Sequence, residues 1–179
     1  MDRSALMLLV IGFLALLLAL MYLGWHARRR RQHAVPEPRR LSSQPGESRF
    51  SAELFYVATT VAGEPLNRVA VHGLGFRARA SVSVLDDGIT LDIPGQQTIF
   101  IPVTELRGAD RATWTIDRVV EADGLVLIAW ELVDDASGTR VAVDSYLRPD
   151  APADSRDLIA AVMGLRESNP STPSLGGTA

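Results

Sequence analysis

The chain contains no cysteine and no lysine. Without thiols it can form no disulfide, no thiol nucleophile and no cysteine-ligated zinc or iron–sulfur centre. Without lysine it has no Schiff-base amine and no P-loop ammonium. Histidine is scarce: His26, His33 and His72. No two of these stand at ligand spacing on one expected element, so no zinc site is expected. Ser81 and Ser83 have no matching histidine on a neighbouring strand, which removes a serine–histidine–aspartate arrangement. Neither G-x-S-x-G nor G-x-G-x-x-G occurs, and His72-Gly73-Leu74-Gly75 reads as a tight bend before a strand. Asp86-Asp87, Asp123 and Asp134-Asp135 occupy turn contexts without the spaced oxygen ligands of a calcium loop. No cofactor and no catalytic set is expected.

What the chain does have is one long apolar run. Residues Ala5 to Trp25 carry no charge, and Arg28-Arg29-Arg30-Arg31 follow at once. Twenty-one residues of helix span about 31 Å, close to the roughly 30 Å hydrocarbon core of a bilayer. The run is long for a signal-peptide core, and its positive flank lies on the wrong side for one. A retained transmembrane helix over 5–25 is the expectation. The arginine cluster holds its own side in the cytoplasm, so the N-terminus should face outward and the rest of the chain inward. That places the protein in the cell's inner membrane, with Tyr22 and Trp25 at the headgroup level. Ala5, Gly12, Ala15 and Ala19 form a small-residue stripe that could seat a second copy of the helix as a homodimer. Ordinary span composition explains the same stripe more simply.

Charge divides unevenly. Residues 1–50 hold eight arginines against three acids, a net +5; residues 51–179 hold ten arginines against eighteen acids, a net −8. An acidic domain is repelled by nucleic acid and by anionic lipid. The basic flank Arg28, Arg29, Arg30 and Arg31 is therefore the natural lipid contact, and the domain is suited to a protein partner.

Residues 26–50 carry Pro36, Pro38, Pro45 and Gly46 among charges, and are expected to be a flexible linker. The tail 167–179 is expected to be disordered. Between them the pattern is mostly β. Glu53–Val61 is aromatic and β-branched, and Phe76–Val84 alternates, with Phe76, Ala78, Ala80, Val82 and Val84 on one face. Asp87-Gly88 turns the chain into Ile89–Ile93, and Thr98–Val103 makes another short strand. Asp123-Gly124 would join Thr115–Ala122 to Leu125–Leu132, and Asp134–Gly138 leads into Arg140–Leu147. Leu158, Ile159, Val162, Met163 and Leu165 then recur at helical spacing, with Asp154 or Ser155 as the cap. The expected fold is mainly β: about seven antiparallel strands in a barrel or sandwich, closed by one C-terminal α-helix.

Two segments carry a resemblance. They are Thr59-Thr60-Val61-Ala62-Gly63-Glu64-Pro65-Leu66-Asn67-Arg68-Val69 and His72-Gly73-Leu74-Gly75-Phe76-Arg77-Ala78-Arg79-Ala80, followed by Ile101-Pro102, Trp114, Val119-Val120, Asp123-Gly124-Leu125 and Trp130. With them, the chain resembles bacterial single-pass membrane proteins with a pleckstrin-homology-like (PH-like) domain, over residues 51–166. The resemblance implies an adaptor or scaffold rather than an activity. Some such proteins are linked to export or transport, so an accessory subunit docking through its single span is the alternative expectation. By the same resemblance Arg68, Arg77 and Arg79 are the nearest match to a basic lipid-phosphate patch, although the domain's negative charge favours an ordinary solvated strand face. Trp114, if exposed, would mark a partner surface; the sequence leaves that open.

Overall fold

The structure is a computed structural model, and it describes residues 3–32, 35–41, 46–112, 114–115, 118–119 and 124–169. The chain forms two compact units, Met1–Val35 and Pro36–Ala179. The first is a single helix, α1 (Arg3–Gln32). Its 18-residue window Met7–Gly24 is long and apolar enough to cross a membrane, and none of it is buried. The helix does not stop at the end of the apolar run, and Arg28–Arg31 continue it.

The second unit is built on ten strands: β1 (Phe50–Val61), β2 (Glu64–Arg68), β3 (Ala78–Val84), β4 (Gly88–Asp92), β5 (Ile99–Pro102), β6 (Leu106–Ala112), β7 (Trp114–Thr115), β8 (Arg118–Val119), β9 (Leu125–Asp134) and β10 (Thr139–Pro149). Helix α2 (Pro152–Glu167) follows. Eight strands form one sheet in the order β5-β4-β3-β1-β10-β9-β6, with β2 also on β1, and among the described residues β7 and β8 form a separate two-stranded sheet. All pairings are antiparallel. Strand β1 joins the two halves. Its first part, Phe50–Tyr56, pairs β3, while Leu54–Val61 pairs β10.

A bulge at Val57 explains why β1 alternates poorly in sequence. The β1–β10 register shifts between Tyr56 and Ala58. An extra residue in a strand reverses which parity faces inward. Leu54 and Tyr56 therefore face the core before the bulge, as Thr59 does after it, and all three are 0 % exposed. On the other face Val57, Ala58, Ala112, Leu125 and Tyr146 form a smaller apolar cluster, with Leu127 against it.

The main core is lined by Ala80, Val82 and Val84 of β3, Val126, Ile128, Trp130 and Leu132 of β9, and Val143 and Leu147 of β10, all buried. Helix α2 packs on β6, β1, β3, β9 and β10. Its Leu158, Val162 and Leu165 are fully buried, each contributing about 1.5–3 kcal/mol of gross apolar transfer. Ile159 is half-buried, while Met163 lies at the edge of the stripe and is 36 % exposed. The helix starts one turn earlier than its polar residues suggest. Ala151 is the N-cap and Pro152 occupies the first turn, so neither Asp154 nor Ser155 caps it. Proline there loses no hydrogen bond, because the first N–H groups of a helix have no internal partner.

Several expectations are corrected. Phe76 is 73 % exposed and lies before β3, which begins at Ala78, so it takes no part in the core. The partner of β9 is β6, Leu106–Ala112, and not a strand over 115–122. Of that expected strand only Thr115, Arg118 and Val119 lie within the described residues, and Asp123 lies outside them. Gly88 does not supply a left-handed turn. A Cβ there would collide with the Ile101 carbonyl oxygen, so glycine is required for close approach of β4 to β5. The segment expected as a linker over 26–50 is structured in part: α1 reaches Gln32, and residues 36–41 lie on the sheet. Of the expected tail, Glu167 ends α2 and residues 170–179 lie outside the described residues.

Candidate functional site

The expected basic patch is not assembled at one point. Arg68 stands opposite Thr60 of β1, and Arg79 stands opposite Phe55. Five positions along a strand separate them by about 16 Å, too far for one phosphate group. The Arg68 guanidinium donates to the Val57 carbonyl at 2.7 Å. Arg79 donates to both carboxylate oxygens of Asp150, at 3.2 and 2.7 Å. Arg77 is exposed in the segment leading to β3. The small-residue stripe lies along α1, where Gly12, Ala15 and Ala19 are exposed. Ala5 is in the same helix, but its side chain lies outside the described residues, as do those of Arg28–Arg31.

Inside the sheet a chain of buried hydrogen bonds crosses three strands. Trp130 Nε1 donates to Ser145 Oγ at 2.9 Å. Ser145 Oγ lies 2.7 Å from Thr59 Oγ1, which lies 2.7 Å from the Tyr56 hydroxyl. That hydroxyl donates to the Leu74 carbonyl at 2.9 Å. The two ends fix the direction of every proton between them. Tyr56 spends its single proton on Leu74, so Thr59 donates to Tyr56, and Ser145 donates to Thr59. Burial pushes the Tyr56 hydroxyl well above the usual tyrosine range, so the relay is neutral at any physiological pH. Its product is structural. It pins the loop before β3 to the core at fully buried Leu74. His72 in that loop takes a left-handed conformation, φ 56°, and Gly73 follows at φ 83°. A Cβ on Gly73 would run into the Gln96 side chain, so the glycine keeps the bend close to the loop after β4.

The most heavily charged constellation lies at the β5 edge. Arg40 bridges Ile99, Leu41 N–H donates to the Thr98 carbonyl at 3.1 Å, and Phe100 N–H donates to the Arg39 carbonyl at 2.9 Å. Residues 36–41 thus form a strap on an otherwise terminal strand, with Pro36 and Pro38 buried. Arg39 bonds Glu105 through Nε and grips Asp135 through both terminal nitrogens, at 2.8 and 2.9 Å. Arg40 donates to the Gln97 and His72 carbonyls and pairs with Glu37. The Glu105 side chain is only 5 % exposed. Desolvation raises its pKa, and the Arg39 hydrogen bond opposes that rise. Asp135 is lowered, first by its hydrogen bond from Arg39 and then by the same charge. The arginine is itself raised by its bonds to Asp135 and Glu105.

Sequence reasoning missed this cluster. Arg39 and Arg40 fall in the segment expected as a linker, Asp135 reads as a turn residue, and nothing in the pattern singles out Glu105. The one available signal was Pro36-x-Pro38, which favours extended backbone through the residues before each proline. Among the described residues no group of three histidine or carboxylate side chains could hold a metal ion.

A chain of the solved structure "The 8S snRNP Assembly Intermediate" is similar over 75 % of this chain and 95 % of its own, at 9 % identity and a TM-score of 0.49. No curated protein matches. The family described as Bacterial PH domain-like matches residues 35–163, a span that takes in the strap, the whole β-sheet and most of α2. The chain belongs to the Bacterial PH domain-like family.

Proposed function

We propose that this protein is a membrane-tethered, non-catalytic adaptor that holds its PH-like domain at the inner face of the cytoplasmic membrane and recruits a protein partner there. One observation carries the reading: an 18-residue apolar helical window, wholly unburied, precedes a domain with a complete core of its own. Such a surface is tolerated only in lipid or against another apolar partner. The arginines that follow favour retention on the cytoplasmic side. By length and composition alone α1 fits a signal sequence as well as a span, and the basic residues beyond it weigh for the span.

The domain supports binding rather than turnover. Its described acids largely serve ion pairs and turns: Arg49 with Asp86, Arg79 with Asp150, Arg140 with Glu131, and Asp134 with its own turn. The test has two arms. Protease added to intact spheroplasts should leave the domain whole, and opening the membrane should expose it; digestion of the domain in intact spheroplasts ends the reading. Pull-down with the full chain should then recover a specific soluble protein. Recovery of a multispan protein only when α1 is present would favour an accessory-subunit role instead.

A further inference from the structure

We infer that the outer edge of β5 is a strand-accepting site for an extended, arginine-bearing segment of a partner protein, with residues 36–41 as its resident occupant. The inference rests on the adaptor reading and names the surface it would use. Among the described strands β5 ends the sheet, with β4 on its inner side. A terminal strand presents backbone donors and acceptors that pair readily with an added strand. Here Thr98 and Phe100 supply the acceptor and the donor, and the strap takes both.

The chemistry beside that edge selects the occupant. Glu105 is a nearly buried carboxylate at one side, and Asp135 reaches in from the turn between β9 and β10. Together they form a two-carboxylate socket, which a planar guanidinium fills with directed bonds from one head group. The resident Arg39 does this with Nε on Glu105 and two parallel bonds to Asp135. An acidic or neutral strand would leave Glu105 buried without a cation, so the edge is selective for a basic segment.

The strap is a short occupant of the edge. Among the described residues two backbone bonds tie it to β5. Pro36 and Pro38 stand at positions whose backbone groups alternate away from β5, so they bar a further strand on the strap's outer side without weakening its own pairing. The strap holds its place through its covalent attachment, which gives it a high effective concentration. It acts as a built-in competitor that raises the affinity a partner must have.

The test uses the full chain in nanodiscs, with residues 36–41 replaced by a glycine–serine segment of equal length. The probe is a fluorescent synthetic peptide with the sequence of residues 35–42. The replaced chain should bind the peptide, and the peptide carrying Arg39→Ala should bind about 10- to 100-fold more weakly. The unaltered chain should bind far less of either. A second variant covers the case in which the replaced chain does not fold. In the full chain carrying Arg39→Ala, the arginine peptide should raise the melting temperature while the alanine peptide does not. Equal binding of the two peptides, or a folded replaced chain that binds neither, overturns the edge site. Recruitment measured by pull-down would survive that result, so the two failures are distinguishable. An unaltered chain that proves to be a strap-exchanged dimer would assign the edge to a second copy and also overturn the partner reading.

Discussion

The Arg39–Glu105–Asp135 cluster is the point where single residues have the most measurable consequences. Removing the arginine leaves a nearly buried carboxylate without its cation, so Arg39→Ala should cost about 1–3 kcal/mol in urea unfolding. The two acids respond to pH in opposite directions. Glu105 has a raised folded pKa, so its protonated form is favoured in the fold. Its contribution is complete below its unfolded value of about 4.3 and is lost as pH rises through the folded value. Asp135 has a depressed folded pKa. Its contribution is complete above about 3.9 and is lost as pH falls through the folded value. Glu105→Gln should therefore gain on the unaltered protein as pH rises above about 4.3, whereas Asp135→Asn should differ from it least at the acid end. Urea midpoints at four pH values separate the two, and parallel curves for all three proteins would contradict the assignment.

The buried relay makes a second residue-scale prediction. Ser145→Ala removes the acceptor of Trp130 Nε1 and the donor to Thr59 in one step. Leaving buried polar groups unpaired costs about 1–3 kcal/mol each at most. Tyr56→Phe should cost less in the core, but it frees the Leu74 carbonyl. Hydrogen exchange should then quicken in the loop before β3 with little change in β9. Uniform loosening of both would mean that the relay does not pin that loop.

Among the elements, legibility followed local pattern. The alternation of Ala78–Val84 and the stripe Leu158, Val162 and Leu165 were readable because one face of each is buried against a single layer. β6 was not readable: Leu106-Arg107-Gly108-Ala109-Asp110-Arg111-Ala112 contains two small residues, a glycine and three charges. It is a strand because β9 pairs it and α2 covers it, which is tertiary context rather than propensity. The strap was hidden for a similar reason, since its partners Thr98, Glu105 and Asp135 are 57 or more positions away in sequence. Arg68 and Arg79 bond separate partners, Val57 and Asp150, while Arg39 joins two carboxylates from different elements. At this scale Gly88→Ala is the sharpest probe. Its Cβ would clash with backbone of β5, so the substitution should destabilise the domain by about 1–3 kcal/mol and loosen the β4–β5 edge first. Amide exchange at Leu91 and Ile101 reports it.

For the whole molecule, the proposed membrane topology is the property that charge alone should change. Replacing Arg28–Arg31 with glutamine, and adding basic residues before Leu6, should reverse orientation in a fraction of molecules. Reporter fusions at the C-terminus read the outcome directly, and an unchanged orientation would locate the determinant elsewhere. The domain should fold on a millisecond-to-second scale, because β1 must find β10 some ninety positions later before its two halves are joined.

The bulge at Val57 leaves the central strand sensitive to length as well as to composition. Without the bulge, an evenly alternating β1 of the same sequence would turn the Thr59 hydroxyl outward and Ala58 inward. The Ser145 hydroxyl would then face a methyl group where it now finds the Thr59 hydroxyl, and the Trp130 indole would lose its link to Tyr56. An irregularity of one residue thus keeps a tryptophan, a serine, a threonine and a tyrosine on speaking terms, so a one-residue insertion within this strand should cost far more stability than one in the turns beside it.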